Sequence, residues 1–229
     1  MLSIFHGRVT FVYGLSVRGK DVCMLDTEVL SRTPPRALDV VTPLGDVRFA
    51  VRIGGWDVPA KPEHTWGLGS EARLCRWRHR SVRLDVLAGA TTPEQPGVTR
   101  ETAIFRVLAR EPLSEFVVQA ELADPPAEVT GDDGVFTAET TEATVSVGGP
   151  GAEVLRRCAD EGRHVPPYWS GQLAGAVELD GARLTWQLPA VERGDYAELW
   201  VSVAWSEAGG DPSRAVDIDA ARVLRELAQ

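Results

Sequence analysis

Apolar and polar residues alternate along much of the chain, which is the pattern of β-strands with one buried face. In residues 46–53, Val47, Phe49, Val51 and Ile53 fall on one face and charged or small residues on the other. Further strands are predicted over residues 8–17, 73–89, 102–110, 115–123, 134–149, 175–188 and 196–205. The pattern therefore predicts that most of the chain is β-structure.

Two short links between predicted strands favour hairpins. The sequence EPLS at 111–114 separates two apolar runs, which we expect to be neighbouring strands of one sheet. Asp180-Gly181 lies between two further β runs, and both residue types tolerate the positive φ that a tight hairpin needs. Residues 73–89 alternate over an unusually long stretch, with a shift of register expected before Val82.

Two segments have helical periodicity instead. Residues 151–162 predict a short helix that Gly162 can end. A second helix is predicted from about 212 to 228, with Asp211 as its cap and Pro212 in the first turn. Its expected apolar face consists of Ile218, Ala221, Leu224 and Leu227.

The spacing of turn signals, about every ten residues, indicates an all-β fold with a two-layer antiparallel β-sandwich. No alternation of strands and helices is present, which argues against a doubly wound or barrel α/β fold. No linker or repeat divides the sequence, so we predict a single β-sandwich domain over residues 1–229, completed by the C-terminal helix.

Composition narrows the partners and the compartment. The formal net charge is −9, which disfavours nucleic acid and anionic membrane surfaces as partners. No membrane span or signal peptide is recognisable, and the three cysteines, Cys23, Cys75 and Cys158, are odd in number and far apart. We therefore expect a cytoplasmic protein with reduced thiols. Nearly all basic residues are arginine, which is typical of a GC-rich bacterial genome.

The sequence contains none of the motifs that indicate a cofactor site. A phosphate-binding loop, a dinucleotide fingerprint and a nucleophile elbow are all absent from it. Its four histidines, His6, His64, His79 and His164, lack the paired spacing of metal ligands. We therefore expect neither a metal nor a cofactor.

Aromatic residues in predicted loops are the strongest candidates for ligand contact. Tryptophan in a loop must be covered, either by the protein or by a ligand. The segment HVPPYWSG at 164–171 is stiffened by two prolines, so it is either a binding loop or a plug of the core. The candidate ligand-binding residues are Trp56, His64, Trp66, Tyr168 and Trp169.

The stretch GKDVCMLDTEVLSR at 19–32 resembles the N-terminal β-supersandwich domain of glycogen-debranching and glucoamylase-type glycoside hydrolases. That family has an Asp-Thr-Arg-x-Leu-Ser-Arg motif after a strand. Five of its positions match here, namely Asp26, Thr27, Leu30, Ser31 and Arg32, whereas Glu28 replaces the arginine. The later order of strands and the final helix are similar in layout. The resemblance implies a sandwich fold and a link to carbohydrate, but no catalytic residue, because the family's carboxylates lie in a helical barrel that follows this domain.

Two functions remain open at this point. The first is a carbohydrate-related binding or accessory module, which has no catalytic barrel of its own and binds a sugar-containing molecule or an enzyme partner. The second is a small cofactor-independent isomerase, cyclase or lyase that acts on a hydrophobic metabolite inside the sandwich, with His164 and Tyr168 as acid and base. A homodimer with Trp200 at its interface is a further possibility.

Overall fold

In a computed structural model, the described residues are 4–5, 8–9, 38–68, 72–126, 128–207 and 210–227. Contacts within the chain separate residues 1–34 from residues 35–229. In the first unit, the described residues form one antiparallel pair, β1 (Ile4–Phe5) and β2 (Arg8–Val9). The predicted strand over residues 8–17 otherwise lies outside the described residues, as does the 19–32 motif. The single-domain boundary stays a prediction.

The second unit consists mainly of strands. Its described strands are β3 (Val40–Thr42), β4 (Gly45–Ile53), β5 (Trp56–Asp57), β6 (His64–Leu68), β7 (Ala72–His79), β8 (Val82–Thr91), β9 (Thr99–Ala109), β10 (Phe116–Leu122), β11 (Val129–Asp132), β12 (Val135–Glu139), β13 (Thr144–Gly148), β14 (Val177–Asp180), β15 (Arg183–Leu188) and β16 (Tyr196–Ser206). Its helices are α1 (Ala152–Asp160) and α2 (Ala220–Leu227), and 3-10 turns span Pro167–Trp169 and Pro212–Ala215.

The strands form two antiparallel sheets that pack as a sandwich, which confirms the predicted fold class. A six-stranded sheet has the order β14-β15-β10-β4-β3, with β5 also paired to β4. An eight-stranded sheet has the order β11-β12-β13-β16-β9-β8-β7-β6. In the eight-stranded sheet, β9 and β16 are eleven residues long and lie at the centre.

One core fills the space between the sheets, and the alternation predicted from sequence forms it. Val47, Val51 and Ile53 of β4 are buried, whereas Arg48 and Arg52 between them are exposed. The opposing sheet contributes inward side chains from β7, β8, β9 and β16. The largest fully buried residues of this core are Trp77, Phe105, Phe116, Phe136, Trp169 and Trp186.

Three hairpins lie within segments that the sequence predicted as β-structure. The long run 73–89 is split into β7 and β8 by Arg80 and Ser81, and Arg80 has a positive φ of 43°. The sequence predicted one long strand with a shift of register before Val82, whereas the chain turns back at Arg80 and Ser81 to form a hairpin. Strands β12 and β13 form a second hairpin. In the third, Asp180 pairs with Arg183, and Gly181 supplies the positive φ of 56°.

The predicted hairpin at 111–114 is wrong. Strand β9 belongs to the eight-stranded sheet and β10 to the six-stranded sheet, so this link crosses from one layer to the other. Leu113 in the link is buried, and its backbone exchanges hydrogen bonds of 2.9 and 3.0 Å with Val191. The short link was predicted to be a tight turn within one sheet. In the structure, it crosses between the layers and buries Leu113 there.

The C-terminal helix is shorter than predicted. The Asp211 side chain caps only the 3-10 turn at Pro212–Ala215, by accepting from the backbone N–H of Ser213. Helix α2 begins later, where the Asp219 side chain accepts from the N–H of Ala221 at 2.7 Å. The buried residues of α2 are Ala220, Val223 and Leu227, so of the predicted apolar face only Leu227 is fully buried. Ile218 and Leu224 pack partly against the same cluster.

Helix α2 covers part of the outer face of the eight-stranded sheet. Its buried residues pack on a row of outward side chains, Leu74, Leu87, Ile104 and Trp200. Trp200 is only 4% exposed, and its indole N–H donates to the Ile218 carbonyl at 2.9 Å. The chain itself therefore covers Trp200, which corrects the possibility of a dimer interface there. In the described part of the chain, no helix is long and apolar enough to cross a membrane.

Gly134 and Gly97 differ in how closely other atoms pack around them. Gly134 and Gly97 both have positive φ, 85° and 77°. A Cβ on Gly134 would lie 2.9 Å from the Gly149 carbonyl oxygen, whereas one on Gly97 meets nothing within 4 Å. Gly97→Ala should therefore cost about 1 kcal/mol of backbone strain, and Gly134→Ala roughly 2–4 kcal/mol. Urea unfolding measures both, and equal losses would contradict the close packing.

Candidate functional site

The residues singled out from the sequence lie in three separate places. Two of them, His64 and Trp66, share the outer face of edge strand β6. Trp56 lies on the short strand β5. His164, Tyr168 and Trp169 follow helix α1 in the HVPPYWSG segment. The structure therefore does not bring them together into one pocket.

In the HVPPYWSG segment, Trp169 has the position of a plug. Its side chain is fully buried in the core between the sheets, and its indole N–H donates to the Ala190 carbonyl at 2.7 Å. Pro166 and Pro167 lead into the 3-10 turn that carries it. Because a buried indole must pair its N–H, this bond fixes the loop to the neighbouring segment. The ring therefore offers no open surface to a ligand.

Tyr168 points outward from the same turn and is 36% exposed. Its hydroxyl oxygen accepts from the backbone N–H of Glu192 at 2.8 Å. Partial burial raises the pKa of Tyr168 above its ordinary value, against the effect of this hydrogen bond. Among the described residues, no hydrogen bond joins the Tyr168 hydroxyl to His164. The two are therefore not arranged as a coupled acid and base.

His164 is instead bound to a buried carboxylate. Its Nδ1 lies 2.9 Å from Oε2 of Glu198, which is 4% exposed, and its carbonyl accepts from the Glu198 N–H at 2.7 Å. The Arg106 guanidinium donates to the other carboxylate oxygen of Glu198 at 2.5 Å. Burial alone would raise the pKa of Glu198, but the His164 hydrogen bond and the Arg106 charge outweigh it and hold this pKa below its usual value.

His164, Glu198 and Arg106 form one end of a row of charged and imidazole side chains. This row crosses the outer face of the eight-stranded sheet. Cross-strand pairs link each member of the row to the next, from β6 to β16, and the backbone of His164 continues it. The row consists of His64, Arg76, Asp85, Arg106, Glu198 and His164. Five spacings of about 4.8 Å separate its two histidines by roughly 24 Å. We call this set the charged row.

At the β6 end of the charged row, Trp66 has an exposed ring. It is 36% exposed, the His64 ring centroid lies 5.5 Å from its own, and the Arg76 guanidinium carbon lies 5.2 Å from its ring centroid. Arg76 is itself held by a bidentate pair with Asp85, at 2.5 and 2.9 Å. The Arg76 guanidinium therefore covers one face of the indole, and the exposed part of Trp66 lies beside His64. We call Trp66, His64 and Arg76 the Trp66 surface.

Trp56, the remaining candidate, is half-buried against the core. It stacks on His79 with ring centroids 4.9 Å apart and planes inclined by 12°. One ring face is therefore occupied by the protein itself. This stacking joins β5 to the end of β7, which gives Trp56 a structural role in holding that edge of the sandwich.

A pocket of about 360 Å³ lies near β4 and β5. Its apolar walls include Leu38, Phe49, Val58 and Trp77, and the Trp77 indole N–H donates to the nearby Pro59 carbonyl at 2.8 Å. Its polar lining residues are Arg52, Asp57 and Gln119. Neither His164 nor Tyr168 lines it, although the hypothesis of a small enzyme required such residues at the pocket.

Sequence reasoning missed Arg76, Asp85, Arg106 and Glu198, which connect the predicted histidines. Each of them occupies a polar position in an alternating strand, so the sequence did indicate that they face outward. Their alignment across strands depends on register, which a single sequence does not show. No signal in the sequence marked the pocket, whose walls come from residues predicted as ordinary core or loop.

Neither metal nor thiol chemistry is indicated by the described residues. Among them, no three His, Cys, Asp or Glu side chains gather in the way that a metal ion requires. Burial raises the pKa of the thiols of Cys75 and Cys158 above the ordinary value, so both are protonated at neutral pH. Cys23 lies outside the described residues.

The lowered pKa of Glu198 predicts how stability depends on pH. Because the folded protein binds this proton less readily than the unfolded chain, Glu198 stabilises the fold above its ordinary pKa of about 4.3 and this contribution is lost as pH falls below it. Glu198→Gln should lower stability at pH 7 and flatten the profile at acidic pH. Urea unfolding between pH 7 and pH 3 measures this.

A matched control is Glu121→Gln, which breaks an exposed pair with Arg183. Exposed pairs contribute little, so this variant should follow the wild-type profile within about 1 kcal/mol. If Glu198→Gln lost stability toward low pH as steeply as the wild type, the charged row would not be the source of that dependence.

The sequence matches no protein-family model and no curated protein. Among solved structures, the chain is similar to one described as a putative kojibiose phosphorylase from human microbiome, with 6% identity and a TM-score of 0.46. The match covers 79% of this chain but only 26% of that chain, so this chain spans about a quarter of that protein's length.

Proposed function

We propose that the protein is a carbohydrate-related β-sandwich module, which binds a sugar-containing ligand at the Trp66 surface and assists an enzyme that supplies the catalytic residues. The observation that carries this proposal is the exposed indole of Trp66, with His64 and Arg76 beside it. The apolar face of a sugar ring stacks on such an indole. The imidazole and guanidinium nitrogens then provide hydrogen bonds to the hydroxyl groups.

The contrast with the other tryptophans supports this choice. Four of them are buried, and each donates its indole N–H to a backbone carbonyl; these are Trp77, Trp169, Trp186 and Trp200. Within the described part of the chain, the Trp66 indole makes no such bond. Trp66 is 36% exposed and belongs to none of the hydrophobic core clusters, so part of its ring is free to stack on a ligand.

The positions of the two proposed catalytic residues favour a module over an enzyme. Neither His164 nor Tyr168 lines the pocket near β4, and no hydrogen bond joins them in the described part of the chain. A general acid and base have to reach the same bound substrate. The resemblance of residues 19–32 to a non-catalytic domain of glycoside hydrolases points the same way.

Calorimetric titration with neutral oligosaccharides of different linkage tests the proposal. A saccharide that binds the wild type should bind Trp66→Ala at least about tenfold more weakly, because the stacking surface is lost. Tyr168→Ala is the matched control, because Tyr168 is also 36% exposed but lies on another part of the sandwich. Equal affinity for Trp66→Ala and wild type would contradict a sugar site at Trp66.

The pocket near β4 favours a second candidate function, which is binding or conversion of a hydrophobic small molecule. Its volume of about 360 Å³ and its apolar walls suit a compact ligand. Arg52, Asp57 and Gln119 would then orient the ligand's polar groups. In this reading they replace His164 and Tyr168 as the polar residues of the site.

Substitutions that fill the pocket separate the two functions. Val58→Trp narrows the pocket, so it should abolish the binding of a hydrophobic dye such as anilinonaphthalene sulfonate, followed by fluorescence. Val41→Trp adds the same side chain at a position that is 61% exposed and should leave dye binding unchanged. Dye binding that survives Val58→Trp in a folded protein would eliminate this pocket as the ligand site.

A further inference from the structure

Arginine side chains crowd together at the end of the β7–β8 hairpin. Arg78 and Arg83 are direct cross-strand partners, although like charges in this position repel each other. Arg76 lies two residues before Arg78 on the same face of β7. Arg110 follows the end of β9, and its backbone N–H donates to the Ser81 carbonyl in the turn of the hairpin. We call these four residues the arginine cluster.

One aspartate forms the ion pairs of the arginine cluster. Asp85 binds Arg76 and lies 3.2 Å from Nε of Arg83. Arg78 and Arg110 are exposed, and among the described residues neither has a carboxylate within ion-pair distance. The four arginines carry four positive charges against the one negative charge of Asp85, in a chain whose formal net charge is −9.

The proximity of these charges also affects the pKa of Arg83. Burial lowers its pKa below the ordinary value, and the nearby charges of Arg76, Arg110 and Arg78 lower it further, against the opposing effect of Asp85. The Arg83 Nε is buried and lies 3.2 Å from a carboxylate oxygen of Asp85, but it makes no hydrogen bond among the described residues. An anion placed over the cluster would reduce the repulsion among these guanidinium groups.

We propose that the arginine cluster binds an anionic group carried by the saccharide that stacks on Trp66. The group is an oxyanion, either a carboxylate or a phosphate, because the planar guanidinium forks suit both. This inference rests on the proposed function, since it specifies that the ligand of the Trp66 surface is an acidic sugar rather than a neutral one.

Arg76 makes the two surfaces continuous. Its guanidinium lies over the Trp66 ring and is fixed there by Asp85, so it belongs both to the Trp66 surface and to the arginine cluster. Arg78 is four residues along β7 from Leu74, the cross-strand partner of Trp66, which is a distance of roughly 13 Å. A short oligosaccharide that starts on the indole therefore reaches the exposed arginines.

A pair of ligands that differ only in charge tests the inference. Tetragalacturonate and its full methyl ester have the same stereochemistry, and glucose 6-phosphate and glucose form a second pair that carries phosphate instead of carboxylate. We expect the wild type to bind one charged member roughly tenfold more tightly than its neutral counterpart at low salt. This preference should disappear in 0.5 M NaCl, a strongly screening concentration chosen for the test, because salt screens exposed charges. The pair that shows the preference identifies the anion.

The double variant Arg78→Gln/Arg110→Gln should lose this preference while its affinity for the neutral ligand stays unchanged. Arg48→Gln/Arg157→Gln is the matched control, because it removes two exposed arginines from β4 and α1, away from the cluster. Circular dichroism confirms that both double variants are folded. A preference that survives in Arg78→Gln/Arg110→Gln, or that the control variant also loses, would overturn the inference.

The remaining outcomes separate this inference from the proposed function. Equal binding of charged and neutral ligands, both lost in Trp66→Ala, would overturn the anionic specificity and leave the sugar module intact. Charged ligands that bind Trp66→Ala as tightly as they bind the wild type would show an anion site that is independent of sugar stacking, which would overturn the inference. Tighter binding of polyglutamate than of either sugar would assign the cluster to an acidic polypeptide and overturn the inference. No binding of any probe would reject both proposals.

Discussion

Buried indole N–H groups must find an acceptor, and this requirement ties the loops of the protein to its sheets. In the interior of a sandwich, the strand carbonyls are already used by neighbouring strands, so the acceptors come from segments outside the ladders. The acceptors for Trp77, Trp169, Trp186 and Trp200 are the carbonyls of Pro59, Ala190, Pro150 and Ile218. Each bond therefore joins a large core side chain to a connecting segment, and together these bonds hold four such segments against the sandwich.

The outer face of the eight-stranded sheet is divided between two environments. Where α2 packs, the outward residues are apolar, as with Leu87 and Ile104. One step along the same strands, the outward residues are Asp85 and Arg106, which belong to the charged row. Because outward side chains on neighbouring rows are only about 7 Å apart, the edge of α2 separates a covered apolar surface from an open charged one.

This division explains why Trp66 remains exposed although it aligns with the apolar row. Its cross-strand partner Leu74 is buried in the cluster under α2, but β6 is the edge strand of the sheet. Four of the five residues of β6 are exposed. The Trp66 surface is therefore located where an apolar row ends at the open edge of the sheet. A ligand that stacks there would extend that row.

Much of the fold was predictable because alternation reports burial directly. The inward set Val47, Phe49, Val51 and Ile53 and the hairpin at Gly181 both came from local patterns. The link at 111–114 was wrongly predicted as a hairpin, because its length is compatible both with a hairpin and with a crossing between layers. The burial of Leu113 decides between the two.

The candidate site was predictable only where its members are close in sequence. His64 and Trp66 are two residues apart, so a strand places them on one face. Arg76 and Glu198 belong to the same charged row although 122 positions separate them, and cross-strand register alone aligns them. In the HVPPYWSG segment, the two prolines showed that the loop is stiff. They did not show which way Trp169 points, because that depends on the acceptor at Ala190.

The central pairing of β9 with β16 also has a consequence for how the protein is made. Between Ala109 at the end of β9 and Tyr196 at the start of β16, 87 positions separate the two strands. At synthesis rates of roughly 5–20 residues per second, β9 waits about 4–17 s before its central partner leaves the ribosome. During that interval one long edge of the sheet is open to other chains. Because an open strand edge can pair with other chains, the synthesis of β16 ends the period in which β9 is exposed to aggregation.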